Sequence, residues 1–187
     1  HSSADVVAGH CMINCAGVAV ETLKSTHARV AVLDIDVHHG NGTQDLFYDR
    51  DDVLFVSVHA TPETYYPFFV GYAHETGRGA GEGYNLNIPL AQSTRDDGWC
   101  DAVASALDRV AEFKPDALVV SLGLDAHEND PLKGLLVTFD GFRRAGKMIA
   151  DAGLPTVLVQ EGGYLSPDLT TSLVAYLAGY TGRDIEL

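Results

Sequence analysis

Two carboxylates and an imidazole stand at alternating positions in DIDVH, residues 34–38, directly after the apolar residues 30–33. Side chains alternate between the two sides of an extended chain, so Asp34, Asp36 and His38 would share one side. Charged groups directly after a buried strand destabilise a fold unless they are paired or bind a cation. The spacing therefore predicts a metal site, although a single Asp-x-His taken alone is more often a hydrogen-bonded surface pair.

Two further apolar runs end in residues that could join such a site. In SLGLDAHENDP, residues 121–131, Asp125 follows an apolar run, and in VLVQEGGYL, residues 157–165, a glycine pair presents Tyr164. Ligands of open α/β sheets bind beyond the carboxyl ends of the strands, so the three strand ends would meet. An imidazole and carboxylates, with one position open for water, favour a catalytic Zn²⁺ or Fe²⁺ over a closed structural site. The ion would polarise an acyl oxygen and acidify water, and Tyr164 would donate a hydrogen bond to the developing oxyanion.

Short apolar runs alternate with longer amphipathic stretches along the whole chain. The runs are almost continuously apolar, which is typical of strands covered on both faces of a parallel sheet. We therefore predict one α/β domain, residues 1–187, with a parallel sheet flanked by helices on both faces. The predicted strands are 29–35, 53–58, 84–88, 117–122 and 156–160, and the predicted helices are 10–24, 41–48, 96–113, 139–152 and 166–180.

The connection at residues 59–82, HATPETYYPFFVGYAHETGRGAGE, is unusually long and rich in aromatic residues and glycine. Loops of this length in compact domains are functional or disordered, and the aromatic content argues against disorder. We interpret it as a wall of a substrate pocket, with a packed structural loop as the alternative.

The composition limits the kinds of partner. The 187 residues are 46% hydrophobic and carry a formal net charge of −14. Such a charge disfavours nucleic acid and attracts cationic ligands, although general solubility or a salt-adapted host is the preferred explanation for it. No apolar run is long enough to span a membrane, and no secretory pattern is present at the start. The three cysteines form no disulfide framework, which favours a reduced, cytoplasmic protein.

The motifs DIDVHHGNGTQ, SLGLDAHENDP and QEGGYL together resemble the zinc-dependent histone deacetylase superfamily, in that family's order and over essentially the whole chain. The opening HSSADVVAGHCMINCAGVAV resembles the segment that starts at the family's catalytic His pair. Within the family, GNGTQ and the loop YYPFFVGYAHETGRGAGEGYNLNIPL resemble the class II and bacterial branch, which includes acetylpolyamine amidohydrolases. The resemblance implies an arginase/deacetylase-like fold.

The resemblance also implies a role for each site residue. Tyr164 would be the oxyanion donor, and His1, at the position of the second member of the His pair, would be the general base. The first member would immediately precede His1, so we expect the native protein to begin earlier and the sequence to lack an N-terminal part of the fold. Three residues would bind Zn²⁺, or alternatively Fe²⁺: Asp36, His38 and Asp125.

The resemblance places supporting residues around these ligands. Asp34 would orient the absent His and, with Ser57, hold a monovalent cation such as K⁺. Asn41 would pair with His1, and because a neutral amide stabilises an imidazolium less than a carboxylate does, His1 would stay neutral near pH 7. For His39 we expect a structural role.

The substrate channel follows from the same resemblance. The carbonyl of Gly9 would accept the scissile amide N–H, and Tyr65 and Phe68 are alternatives to Tyr66 as one wall. His10 stands where relatives usually have an aromatic residue, which predicts a more polar tunnel. The four predicted channel residues are Gly9, His10, Tyr66 and Leu132.

The predicted function is hydrolysis of an acetyl amide on a small cationic amine such as an acetylpolyamine, with acetyl-lysine in proteins as the alternative substrate. A homodimer is compatible with this function. A metal-binding or acyl-binding domain without catalysis is a second hypothesis, because one His of the pair is absent from the sequence. A two-metal hydrolase of guanidino groups is a third, which the single Asp-x-His disfavours.

Overall fold

The computed structural model describes residues 1–183 and contains a five-stranded sheet in which every pairing is parallel. The strand order is β3-β2-β1-β4-β5, so β1 is central, β2 and β3 are added on one side of it, and the chain then crosses back to add β4 and β5 on the other side. The predicted parallel sheet is confirmed. The strands are β1 (Val30–Asp34), β2 (Val53–Ala60), β3 (Asn85–Leu90), β4 (Ala117–Leu122) and β5 (Thr156–Gln160), and the helices are α1 (Cys15–Lys24), α2 (Asn41–Phe47), α3 (Asp96–Phe113), α4 (Phe139–Asp151) and α5 (Leu169–Thr181).

Helices cover both faces of the sheet, as predicted. On one face, Leu33 of β1 and Val120 of β4 belong to a core cluster that includes Trp99 of α3 and Phe142 of α4. On the other face, Val32 of β1 belongs to a smaller cluster with residues of α1 and α2. Every residue of β1, β2 and β4 is buried. This two-sided burial explains why these strands are almost continuously apolar. No helix in the described range, residues 1–183, is long and apolar enough to cross a lipid bilayer.

The predicted helix 10–24 is wrong over its first five residues, because α1 begins at Cys15. Gly9 and His10 have φ of 57° and 59°, a left-handed conformation that ends any regular helix there. Asn14 is the N-cap, and its Oδ1 accepts a hydrogen bond of 2.7 Å from the backbone N–H of Gly17. Cys11 therefore lies outside the helix that contains Cys15.

The long connection between β2 and β3 is tied to the sheet by Glu75. Its Oε2 accepts a hydrogen bond of 2.7 Å from Nε2 of Gln44 and one of 3.0 Å from the backbone N–H of Gly71. Nδ2 of Asn87 in β3 also donates to the carbonyl of Tyr72 at 3.2 Å. The second half of the connection is therefore a packed structural loop, whereas residues of the first half line a cavity.

Candidate metal centre

Asp36, His38 and Asp125 converge just beyond the carboxyl ends of β1 and β4. One ligand atom from each lies within 4.8 Å of the other two, and all three residues are buried. Nδ1 of His38 is 3.1 Å from Oδ1 of Asp36 and 3.1 Å from Oδ2 of Asp125. The structure thus brings together the three side chains that the family resemblance implied as ligands, and the donor set suits Zn²⁺ or Fe²⁺.

The polypeptide reaches this arrangement through a turn. The strand β1 ends at Asp34, so the extended alternation predicted over residues 34–38 is wrong beyond that residue. Oδ1 of Asp34 accepts the backbone N–H of Asp36 at 3.1 Å, and Oδ1 of Asp36 accepts that of His38 at 2.8 Å. Asp125 holds the same turn from the neighbouring strand, because its Oδ1 accepts the N–H of Val37 at 3.0 Å. The three carboxylates therefore fix the backbone of residues 36–38, and two of them, Asp36 and Asp125, also belong to the metal centre.

Gly162 leaves the space that a cation and its ligands need. A Cβ atom at this position would lie 2.0 Å from Oδ2 of Asp125 and 2.5 Å from Oδ2 of Asp36, so no side chain fits there. Its backbone N–H instead donates to Oδ2 of Asp36 at 2.7 Å. The close approach explains one glycine of the pair in QEGGYL, and the cradle fits a metal ion.

The electrostatics of the three residues also suit a cation. Burial, with the charge of Asp36, raises the pKa of Asp125 to about 7. Burial opposes protonation of His38, but hydrogen bonds to Asp125 and Asp36 outweigh it and raise the pKa of His38 to about 10. In the metal-free protein the centre therefore retains a proton near pH 7, and a cation can replace it.

We expect Zn²⁺ binding to release about one proton near neutral pH, because the cation and the proton compete for Nδ1 of His38. Since the pKa of His38 is about 10, the apparent affinity should rise as the pH increases towards that value, with a slope approaching tenfold per pH unit. Calorimetric titrations in buffers of different ionisation enthalpy measure the number of protons released. Zinc binding that is independent of both buffer and pH would contradict this assignment.

Tyr164 and His1 face the same cavity, which has a volume of about 800 Å³ and includes Asp36 and His38 in its wall. Burial, with the charges of Asp125 and Asp36, raises the pKa of Tyr164 to about 12, so its hydroxyl remains a hydrogen-bond donor. Nε2 of His1 is buried 3.9 Å from Oδ2 of Asp36 and has no hydrogen-bond partner within residues 1–183. The wall of the cavity that contains Asp36 and His38 therefore also holds a phenol hydroxyl and an imidazole nitrogen without a partner in the described part of the chain.

The predicted channel residues all line this cavity. A Cβ atom on Gly9 would lie 2.6 Å from Cβ of His1, so the glycine allows the loop to pack against the predicted base. The ring centroid of His10 is 6.2 Å from that of Tyr164, with the rings edge to face. Tyr66 and Leu132 are 43% and 41% exposed, which places them at the mouth. The four residues occur together in the wall as Gly9, His10, Tyr66 and Leu132.

Asn41 does not form the predicted side-chain pair with His1 among the described residues. It is the first residue of α2, and its Oδ1 is buried without a hydrogen-bond partner within 1–183. The link between α2 and His1 runs instead through the backbone, where the N–H of Gly42 donates to the carbonyl of His1 at 3.1 Å.

Asp34 and Ser57 lie side by side, since β1 and β2 pair them in register. Oδ2 of Asp34 is buried and has no hydrogen-bond partner within residues 1–183. Burial and the charge of Asp36 raise the pKa of this carboxyl well above its ordinary value. An uncompensated buried oxygen fits the predicted K⁺ site, which stays a prediction.

His39 is held by the polar groups beneath the long connection and is absent from the cavity wall. Its Nε2 lies 3.1 Å from Oε1 of Gln44 and 3.1 Å from Oδ1 of Asn87. Burial, reinforced by the neighbouring His59, lowers the pKa of His39 well below its ordinary value. These contacts support the structural role expected for it.

Sequence reasoning missed two residues close to the centre, Asp130 and Glu161, and did not predict the position of a third, Tyr65. The Tyr65 ring, proposed only as an alternative wall, stacks on that of His38, with centroids 5.0 Å apart. Asp130 is a carboxylate only 2% exposed, and its one sequence signal is its place in the same strand-end segment as Asp125. Glu161 lines the cavity beside the glycine pair, and burial raises its pKa.

Comparisons with known proteins agree with this geometry. The histone deacetylase domain family matches residues 1–180. The chain is 46% identical to acetylpolyamine amidohydrolase 1 of Pseudomonas aeruginosa over 97% of this chain and 53% of that protein. A crystal structure of acetylpolyamine aminohydrolase from Burkholderia pseudomallei superposes with a TM-score of 0.94 at 44% identity, covering 96% of this chain and 53% of that one. An HDAC homologue from Aquifex aeolicus gives a TM-score of 0.94 at 32% identity, over 100% of this chain and 50% of that one. The chain thus spans about half the length of these relatives.

Proposed function

The chain belongs to the histone deacetylase domain family, and we propose that it hydrolyses the acetyl amide of small acetylated amines in a metal-dependent reaction. The observation that carries this proposal is the convergence of Asp36, His38 and Asp125 beside a cavity whose wall contains Asp36, His38, Tyr164 and His1. The names of the acetylpolyamine amidohydrolases to which the chain is similar support the substrate class.

The chain's own residues have distinct roles in the proposed reaction. Asp36, His38 and Asp125 would hold a divalent ion, which would supply a Lewis acid to polarise the scissile carbonyl and acidify water. His1 takes a proton from the attacking water at Nε2, an atom that is free of other hydrogen bonds within residues 1–183. Tyr164 donates a hydrogen bond to the oxygen of the tetrahedral intermediate. His1 then returns the proton to the nitrogen as the C–N bond breaks, so the products are acetate and a free amine.

The cavity wall supports a slender substrate with an aliphatic chain. Aromatic and aliphatic side chains, Tyr66, Phe68 and Leu132, lie between the centre and solvent. They would shield the methylene groups of an alkyl amine from water. The formal net charge of −14 favours the approach of a cationic substrate at long range.

We expect the zinc-loaded protein to hydrolyse acetylputrescine with a kcat/KM at least about tenfold above that for an acetyl-lysine peptide. Acetate release measures both reactions, and chelator-treated protein is the control for metal dependence. Faster cleavage of the peptide would instead make acetyl-lysine in proteins the preferred substrate. If zinc binds stoichiometrically and neither compound is cleaved, a metal-binding or acyl-binding domain without catalysis becomes the better interpretation.

A two-metal hydrolase of guanidino groups gains no support. Within residues 1–183, the side chains that could hold a metal form a single cluster of Asp36, His38 and Asp125. We propose Zn²⁺ as the ion because the three-donor set matches catalytic zinc sites. Fe²⁺ as the ion, K⁺ beside Asp34, a homodimer and a cytoplasmic location stay predictions.

A further inference from the structure

Asp130 connects two parts of the cavity wall that are far apart in sequence. It is 2% exposed and lies between β4 and α4. Oδ1 of its carboxylate accepts the backbone N–H of Leu132 at 2.8 Å, and Oδ2 accepts that of Tyr164 at 3.3 Å. We propose that Asp130 is a positioning residue that holds Tyr164 in place for the reaction, an inference that rests on the proposed function.

The backbone next to Tyr164 shows why such a tie is needed. Gly162 is fixed to the metal centre by its N–H bond to Asp36. The next residue, Gly163, has φ of 138°, a conformation that side-chain-bearing residues rarely adopt, so glycine adds backbone freedom between Gly162 and Tyr164. The bond from Asp130 fixes the backbone on the far side of Gly163. Without it, the Tyr164 backbone would be linked to the centre through Gly163 alone, and the ring would keep, among the described residues, only its edge-to-face contacts with His10 and His38.

The other oxygen of Asp130 extends the same frame to a metal ligand. The carbonyl of Leu132 accepts a hydrogen bond of 3.1 Å from the hydroxyl of Tyr65. The ring of Tyr65 stacks on the imidazole of His38. Hydrogen bonds therefore link the carboxylate of Asp130 to Tyr164, to Leu132 at the mouth of the cavity and, through Leu132, to Tyr65, whose ring covers His38.

The surroundings of the Asp130 carboxylate also favour a role beyond stabilising the fold. Within residues 1–183 no basic side chain forms a salt bridge to Asp130, so the carboxylate depends on backbone donors. A buried carboxylate without a cationic partner is costly to maintain. The donors that face this carboxylate are the backbone N–H groups of Leu132, at 2.8 Å, and Tyr164, at 3.3 Å, and both residues belong to the cavity wall.

A double-mutant cycle with Asp130→Asn and Tyr164→Phe tests the proposal. Asparagine keeps the size of the side chain but loses the charge and one acceptor. In the wild-type background we expect kcat for acetylputrescine to fall about 10- to 100-fold, with KM within about threefold and zinc content unchanged. In the Tyr164→Phe background the same change should lower kcat less than about twofold, because no hydroxyl remains to be positioned.

Equal factors in the two backgrounds would overturn the proposal, because Asp130 would then act independently of Tyr164. The matched control is Asp168→Asn, since Asp168 accepts a hydrogen bond of 2.8 Å from Asn129 in the same region and makes none to Tyr164. This control should keep the wild-type kcat. Should Asp130→Asn fail to bind zinc, Asp130→Glu, which keeps the charge but displaces the carboxylate, should show the same dependence on the Tyr164 hydroxyl.

Amide hydrogen exchange separates this inference from the proposed function. Asp130→Asn should accelerate exchange of peptides that contain the Tyr164 amide, whereas Asp168→Asn should not. Unchanged exchange in Asp130→Asn would show that the tie is absent and overturn the inference, whatever the activity. Faster exchange in a protein that cleaves no acetylated amine would support the tie and contradict the proposed function.

Discussion

Replacing Tyr164 with phenylalanine is expected to lower kcat for acetylputrescine about 10²- to 10³-fold, the usual loss when one oxyanion donor is removed. The ring stays in the cavity wall, so substrate binding should change little. The metal should also remain, because the centre is built by Asp36, His38 and Asp125 and the hydroxyl is not one of the converging ligand atoms.

Steady-state kinetics and zinc content, measured on the same preparation, test this prediction. Tyr180→Phe on α5 is the control, since it removes a hydroxyl from a residue that is absent from the cavity wall. An unchanged kcat in Tyr164→Phe would remove the assigned role. Loss of zinc together with activity would instead show that the hydroxyl supports the metal centre.

Hydrophobic patterning was sufficient to predict the elements that position the site. The boundaries of β4, β5 and α3 agree with the sequence prediction to the residue, since their apolar runs and helix-start signals are local. The start of α1 was missed because its true boundary depends on tertiary contacts. Nδ2 of Asn14 donates to the carbonyl of Ser2 at 2.8 Å and to Oγ1 of Thr43 at 3.0 Å, and neither contact is visible in the residues around Asn14.

Residue types and position after apolar runs predicted a metal site but included Asp34 with Asp36 and His38, and it was the family resemblance that implied Asp36, His38 and Asp125 as the ligands. The supporting contacts could not be predicted, since they depend on strand order and on the path of long connections. Asp130 contacts a residue 34 positions away, and Tyr65 contacts one 67 positions away. The side chain of Asn41, the first residue of α2, does not form the predicted pair with His1 within residues 1–183, where the contact is between the backbones of Gly42 and His1.

Changing Asp125 to asparagine is expected to abolish stoichiometric zinc binding and to lower kcat by at least about 10³-fold. One of the three converging ligand atoms is lost, and an amide is a much weaker donor to Zn²⁺ than a carboxylate. The metal-free variant should still fold. Relief of the repulsion between Asp125 and Asp36 offsets the lost bond to His38, so its free energy of unfolding should stay within about 1 kcal/mol of the metal-free wild type.

Thermal unfolding with and without zinc separates these effects. Zinc at 100 times its Kd should stabilise the wild-type protein by about 2.7 kcal/mol and Asp125→Asn by almost nothing. Asp108→Asn on the exposed side of α3 changes the formal charge by the same amount and should respond to zinc as the wild type does. Because unfolding reports metal binding without any substrate, a full zinc response in Asp125→Asn would refute the ligand assignment even if activity were lost. A metal-free variant that does not fold would show that the Asp125 carboxylate is needed for folding as well as for metal binding, because it accepts the N–H of Val37 in the turn.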